Sequence, residues 1–316
     1  MAADAKMLRV RARIVNAIRA YFDSQDFVEV ETPVRVANPG QELHLDAFAA
    51  GQGDDGSPRY LITSPEHHMK RLLGAGHARV FQLTRCFRKE EKGPHHQPEF
   101  TMLEWYRAGQ TLDAVAADAQ ALLSVAAAAA GRAPPRASLY TTIRQLFAQH
   151  VGVDLVGDES ESRLRACLEA AGHATVPGDG WDDLFFRVFL DHIEPAMDPE
   201  QPTFVFDWPL PLAALARRKP GNPAVAERFE LYASGLELCN AFGELLDAEE
   251  QRRRFTEELQ ERGRRQKVVY PIDNALIEAL PRIASPAAGA ALGVDRLVMW
   301  ATGARDIREV VAFPEG

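Results

Sequence analysis

RVFQLTRCFRKEEKGPHHQPEFTMLEWYR, residues 79–107, decides how the rest of the chain is read. It divides into two extended runs around a charged loop. On the outgoing run Val80, Gln82, Thr84, Cys86 and Arg88 fall on one side, and Phe81, Leu83, Arg85 and Phe87 on the other. On the return Phe100, Met102, Glu104 and Tyr106 alternate with Thr101, Leu103 and Trp105. Lys89 to Pro98 is too polar and too rich in Pro and Gly to continue either run, so the spacing predicts an antiparallel hairpin with Arg88 and Glu90 at its mouth. Arg is a planar, permanently charged donor for phosphate or carboxylate, and Phe100 offers a face on which a base can stack. An amphipathic hairpin with a solvated tip has the same pattern, so other stretches must decide between the two.

Before the hairpin, Ser64-Pro65-Glu66 opens a short helix, His67 to Leu73, with Ser64 as N-cap and Pro65 at the first helical position. Glu66 in its first turn suits a ligand amine, but complementing the helix dipole explains it equally. Tyr60 to Thr63 reads as a short strand. Further upstream, Met7 to Phe22 has helical periodicity through Leu8, Ile14, Val15, Ile18 and Phe22. FVEVETPVRV then reads as a strand interrupted by Pro33, which belongs at an edge, a bulge or a contact between subunits.

After the hairpin, Leu112 to Ala130 is an alanine-rich helix stopped by Gly131. Residues 132–200 read as a mainly helical insertion within one domain spanning 1–316, and TFVFDW returns to strand. Glu227 to Phe242 reads as a second hairpin, turning at Ser234-Gly235. Glu237, Asn240 and Glu244 cannot share one face of a regular strand, so a common site for them needs a bulge or bend, expected near Ala241-Phe242-Gly243. Asp247 to Arg265 is a helix with a locally basic run, either a solvated face or a docking patch for an acidic partner. In Ser285 to Thr302 small residues lead through Ala291 to Gly293, then an apolar helix carries Arg296; VVAFP reads as a last strand.

The 316 residues carry a formal net charge of −9, with 46% hydrophobic and 26% charged side chains, as in globular proteins. A dedicated nucleic-acid binder is usually basic. No apolar run is expected to reach the ~20 residues that span a bilayer. The start lacks the apolar core of a secretory signal. Three scattered cysteines have no paired spacing, which argues against a disulfide framework or a zinc site and points to the cytoplasm. His67, His68, His77, His95 and His96 match no metal spacing either.

FRKEE followed by HHQPEFTMLEWY resembles motif 2 of the class II aminoacyl-tRNA synthetases in its lysyl form, with Lys89 and Gln97 standing where that form has Asn. The helix, strand and Pro33 resemble motif 1, which implies a homodimer, and Ser285 to Thr302 resembles motif 3, with Ala291 in place of a Gly. GLELCNAFGEL resembles the lysyl Gly-Ile-Glu-Leu-x-Asn-Gly-Phe-x-Glu-Leu. About six residues precede the first helix, so an anticodon-binding OB domain is not expected. The whole chain is similar to the stand-alone lysyl-synthetase paralogues that act as elongation factor P β-lysine ligases. The resemblance implies an α+β class II catalytic fold, an antiparallel sheet flanked by helices.

It also implies the roles of residues. ATP, with Mg²⁺, is taken by Arg88, Glu90, His96, Gln97, Phe100, Glu237, Leu238, Gly293 and Arg296, with Arg88 and Arg296 catalytic and Glu237 and Glu244 as metal ligands. The diamino acid, (R)-β-lysine, is taken by Ser64, Glu66, Glu104, Tyr106, Asn240, Glu244 and Ala291. Transfer is to a lysine of elongation factor P rather than to tRNA, away from any membrane. A truncated lysyl-tRNA synthetase, charging tRNA or making dinucleotide signals, and a non-catalytic regulatory module are the alternatives.

Overall fold

The hairpin expected at residues 79–107 is present in the computed structural model, which describes residues 3–315. Met1, Ala2 and Gly316 lie outside the described residues. The chain forms two compact units: Met1–Pro134 with Glu244–Gly316, and Pro135–Gly243.

In chain order the first unit begins with α1 (Ala5–Ser24), β1 (Val28–Glu29), β2 (Arg35–Val36), β3 (Ala49–Gln52), β4 (Pro58–Leu61), α2 (Glu66–Gly74), β5 (Arg79–Phe87), β6 (Glu99–Ala108) and α3 (Leu112–Ala130). The second unit follows with β7 (Leu139–Thr142), α4 (Ile143–His150), α5 (Glu161–Ala170), α6 (Trp181–Val188), β8 (Thr203–Pro209), β9 (Arg218–Lys219), β10 (Asn222–Ala233) and β11 (Leu236–Gly243). The first unit then resumes with α7 (Ala248–Arg264), α8 (Asn274–Ala279), β12 (Ala287–Gly293) and α9 (Val294–Thr302).

β5 and β6 pair antiparallel without a slip from Arg79↔Arg107 to Phe87↔Glu99, and β12 pairs antiparallel with β6 from Ala287↔Ala108 to Gly293↔Met102. β1 joins the far edge in parallel, Val28↔Val80. In the second unit β11, β10 and β8 are antiparallel neighbours, and β7 pairs in parallel with β8. The expected antiparallel sheet flanked by helices is thus mixed at β1 and β7.

The strand expected through Pro33 is two short pieces, because proline has no N–H to continue a ladder. β2 pairs with β4 in a separate small sheet. The α1 stripe is Val10, Ile14, Ile18 and Phe22; Leu8, expected inward, is exposed, because the buried face follows the four-residue spacing set by Phe22. Phe22 stacks on Phe81 with ring centroids 4.6 Å apart, and each such buried side chain contributes roughly 1.5–3 kcal/mol. Trp105 and Arg107, on the hairpin's other face, bond Asp118 of α3 at 3.1 Å and 2.7 Å, which fixes β6 from behind.

α3 spans the expected residues, with Gly131 left-handed at its end (φ 75°). Its 19 residues are apolar and long enough to cross a membrane by composition alone, contrary to expectation. Half of that stretch is buried, with Leu112, Val115, Leu122 and Leu123 inside the unit. No strand forms at VVAFP; the chain bends there and Phe313 is exposed. Within 132–200, α4, α5 and α6 follow β7 and pack Phe147, Leu164 and Phe185 against Val205 and Trp208 of β8.

Candidate active site

The regular register of β5 and β6 puts Phe100, Met102, Glu104 and Tyr106 on one face with Cys86, Thr84, Gln82 and Val80. β12 adds Gly293, Ala291 and Gly289 opposite Met102, Glu104 and Tyr106. Glu104 is buried; Ser64 donates a hydroxyl hydrogen bond to it, and Tyr106 donates another at 2.9 Å. Ser64 also accepts the Glu66 N–H at 3.0 Å, so one serine starts α2 and ties it to the hairpin. Burial, with Glu66 nearby, pushes the Glu104 carboxyl up to about 8 against the bonds from Ser64 and Tyr106.

Glu66 and Glu244 meet over a residue the sequence reading passed by. Lys70, one turn after Glu66, is bonded to it, and its ammonium lies 2.5 Å from Glu244 Oε2. An i, i+4 Glu–Lys pair was visible in the sequence. Glu244 is 1% exposed and its N–H is bonded to Ala287 O at 2.8 Å. Gly289 makes the space: a Cβ there would lie 2.1 Å from the Tyr106 ring and 2.9 Å from Glu244 Oε1. The first unit thus gathers Ser64, Glu66, Glu104, Tyr106 and Glu244 with Lys70 and Gly289. Three carboxylates around one ammonium form a site that calls for further positive charge.

At the hairpin mouth the Arg88 guanidinium lies over the Phe100 ring, 5.2 Å from its centroid, and 3.6 Å from Glu91. Its buried Nε has no hydrogen-bond partner among the described residues, the mark of a donor awaiting an acceptor. Glu90 is exposed at a positive φ of 68°. Arg296, in the first turn of α9, donates to His95 O at 3.2 Å and contacts the His96 ring. The start of α9 is fixed by Asp295, which accepts Thr101 N–H at 2.8 Å and pairs with Arg11 at 2.5 Å. Gln97 is buried and accepts the Glu315 N–H at 2.7 Å, so its amide oxygen secures the C-terminal segment. Ala291 packs beside Val36, Ile62, Cys86, Met102 and Phe100.

In the second unit, the bulge needed by Glu237 and Asn240 lies earlier than expected. Tyr232 pairs with Glu237 and Leu231 with Cys239, so Leu238 is the extra residue. It turns Glu237 to the face that holds Asn240, Glu230 and Tyr232. Leu238 itself is 2% exposed. Asn240 accepts from Arg228 at 3.2 Å, and Arg228 also bonds Glu230 and lies 4.5 Å from the Trp208 ring centroid. The carboxylate that feels Glu237 is Glu230, raised to about 7 by burial against the pull of Arg228, with Glu237 adding to the rise. Glu237 thus shares a face with Glu230, while the Glu244 carboxylate is engaged by the Lys70 ammonium. Sequence reading missed Glu230 because its register partner, Asn240, is known only once the bulge is placed.

No group of three or more His, Cys, Asp or Glu suited to a metal occurs among the described residues. The basic run of α7 is partly buried structure: Arg262, fully covered, donates to Glu42 O and Leu45 O at 2.8 Å and 2.9 Å and lies over Tyr270. Arg253, Arg264 and Arg265 pair with glutamates of their own helix.

A family model described as tRNA synthetases class II (D, K and N) matches residues 2–316. Among curated relatives, the Elongation factor P--(R)-beta-lysine ligase of Klebsiella pneumoniae (strain 342) is 41% identical over 96% of this chain and 93% of its own length. Proteins with the same name from Enterobacter sp. (strain 638) and Salmonella paratyphi A are 39% and 40% identical over the same shares.

Proposed function

The chain belongs to the class II tRNA synthetases (D, K and N), and from that membership we propose that it activates (R)-β-lysine with ATP and joins it to a lysine side chain of elongation factor P. The observation that carries the reading is the buried cluster of Glu66, Glu104 and Glu244 with a single lysine among them. A buried carboxylate without a cation is expensive, so the cluster favours an acid bearing two amines and rejects one with a neutral side chain.

The carboxylate of that acid attacks the α-phosphorus of ATP in line, and pyrophosphate leaves. Carboxylate and phosphate repel each other, so the work of the protein is positioning and positive charge. The unpartnered Nε of Arg88 suits an oxygen of either group, and Arg296, held by His95 and His96, suits the far end of the triphosphate. Phe100 supplies the stacking face for adenine. The acceptor amine then attacks the acyl carbon as the free base, AMP leaves, and an amide remains. No serine or cysteine nucleophile is required. Buried Cys86, with a thiol pushed up by burial, is unsuited to that role.

Magnesium is the finer part of the proposal. Carboxylates plus phosphate oxygens make an ordinary Mg²⁺ set, so Glu237 would hold the ion, which would neutralise triphosphate charge. A homodimer through α1 and the β1–β2 region is proposed as well, supported by exposed Leu8, Val28 and Val34 there. The cytoplasm is the proposed compartment; the three cysteines are free.

The test offers the protein ATP, Mg²⁺ and labelled (R)-β-lysine together with elongation factor P and bulk tRNA. Label on elongation factor P alone is expected. Label on tRNA replaces the reading with a minimal synthetase, and absence of any diamino-acid-dependent pyrophosphate exchange overturns it.

A further inference from the structure

The reaction as proposed gives no part to Lys70, although it is 1% exposed with its ammonium between Glu66 and Glu244. Taking an ammonium out of water is expensive, so a lysine in that position needs a reason. Two carboxylates that both await a cation repel each other, and with nothing between them they turn apart or take up protons. Lys70 leaves α2 one turn after Glu66 and reaches Glu244 from a direction fixed by that helix. Burial pulls its ammonium toward neutrality, but Glu244 and Glu66 together outweigh burial and hold it charged. The other titratable groups facing this pair are Glu104 and Tyr106 from β6, and Glu258 from α7, which senses Glu66. All are acids.

Glu66, Glu104 and Glu244 outnumber the one ammonium of Lys70 that they surround, so the cluster suits added ammonium charge. We propose that Lys70 is a positioning residue for the diamino acid: its buried ammonium draws Glu66 and Glu244 together and keeps them aimed before the substrate arrives. This deepens the function proposed above and rests on it.

The experiment is ATP–pyrophosphate exchange with (R)-β-lysine, using the full chain and Lys70→Met, which keeps the side-chain length and removes the charge. KM for the diamino acid is expected to rise about tenfold or more at pH 7 with KM for ATP unchanged. An unchanged KM overturns the inference. Wild-type protein inactive with (R)-β-lysine overturns the proposed function itself, so the two failures are told apart.

Lys70→Ala supplies the second test. n-Propylammonium, the fragment removed, is expected to restore exchange, and n-propanol is not; equal rescue by both makes Lys70 a space-filler and overturns the inference. A third measurement needs no variant. Among the lysines, Lys70 is the buried one, so ¹⁵N-lysine-labelled wild-type protein is expected to show one slowly exchanging ammonium signal. Absence of that signal overturns the inference even where both variants fail to fold.

Discussion

β5–β6 and β10–β11 are both hairpins that present acidic side chains, and they reach that end differently. β5–β6 keeps its register from end to end, so Glu104 and Tyr106 share a face because they are two residues apart. β10–β11 carries one extra residue, Leu238, and only that bulge brings Glu237, three residues from Asn240, onto the same face. A regular strand aims side chains by parity alone, and a bulge changes the parity at one point. The second arrangement is therefore the more fragile.

Inserting an alanine between Leu231 and Tyr232, opposite Leu238, is the strongest way to test that difference. The ladder would become regular, Asn240 would stay opposite Glu230, and Glu237, an odd number of regular positions from Asn240, would turn to the other face. kcat/KM for the overall reaction is expected to fall on the order of 10³-fold, with far-UV circular dichroism retained. Activity within a few fold of wild type would mean that the face of Glu237 is immaterial.

Gly289→Ala comes next, and it tests the regular hairpin. The new Cβ would lie 2.1 Å from Tyr106 and 2.9 Å from Glu244, against side chains locked in place. Overpacking of this kind costs about 1–3 kcal/mol, and KM for the diamino acid is expected to rise roughly a hundredfold as Tyr106 shifts. The matching change in the other hairpin, Gly235→Ala, meets no neighbour within 4 Å but has φ 71°. It is expected to cost about 1 kcal/mol of stability through strain, measured by urea denaturation, with the kinetics unaltered.

The same contrast explains what could be read in advance. Alternation made the faces of β5 and β6 legible, and Gly131 marked the end of α3. Caps and spacing placed α2 and α7 to within a residue or two. The Leu238 bulge was legible only as a requirement, because its location depends on which residue of β10 faces which residue of β11. Lys70 could have been noticed, since it stands four residues after Glu66. Arg262 could not: inside a run of arginines nothing in the spacing marks the one that turns inward to the carbonyls of Glu42 and Leu45. VVAFP has the composition of a strand but forms none, and strand propensity depends on having a neighbour to pair with.

The protonation of Glu104 gives a gentler test of the regular hairpin. Its carboxyl is raised from the usual 4.5 to about 8, so the folded state holds a proton that the unfolded chain gives up. Its contribution to stability is therefore full below about pH 4.5 and is lost as pH rises toward about 8. Thermal midpoints of the free protein are expected to decline from pH 6 to 8.5, and Glu104→Gln is expected to flatten that decline. Substrate binding runs the opposite way, because an ammonium prefers the ionised carboxylate. KM for (R)-β-lysine is expected to fall as pH rises, by up to about tenfold per unit below pH 8. A flat wild-type profile would mean Glu104 is already ionised in the free protein.

The smallest expected effect belongs to Ala291, which lies across from Glu104 on β12 and carries its methyl into the cluster of Val36, Ile62, Cys86, Met102 and Phe100. Ala291→Gly removes one methyl at a site of negative φ and extended backbone, so the structure should persist with a loss of about 1 kcal/mol. One methyl in a pocket discriminates between ligands by about 1–3 kcal/mol at most. The ratio of kcat/KM for α-lysine to that for (R)-β-lysine is therefore expected to rise by about tenfold, with the pH profile set by Glu104 unchanged. An unaltered ratio would remove the methyl as the discriminating group. The choice between the two isomers would then lie with Glu66 and Lys70, at the end of the cluster proposed to receive the amine nearest the carboxylate.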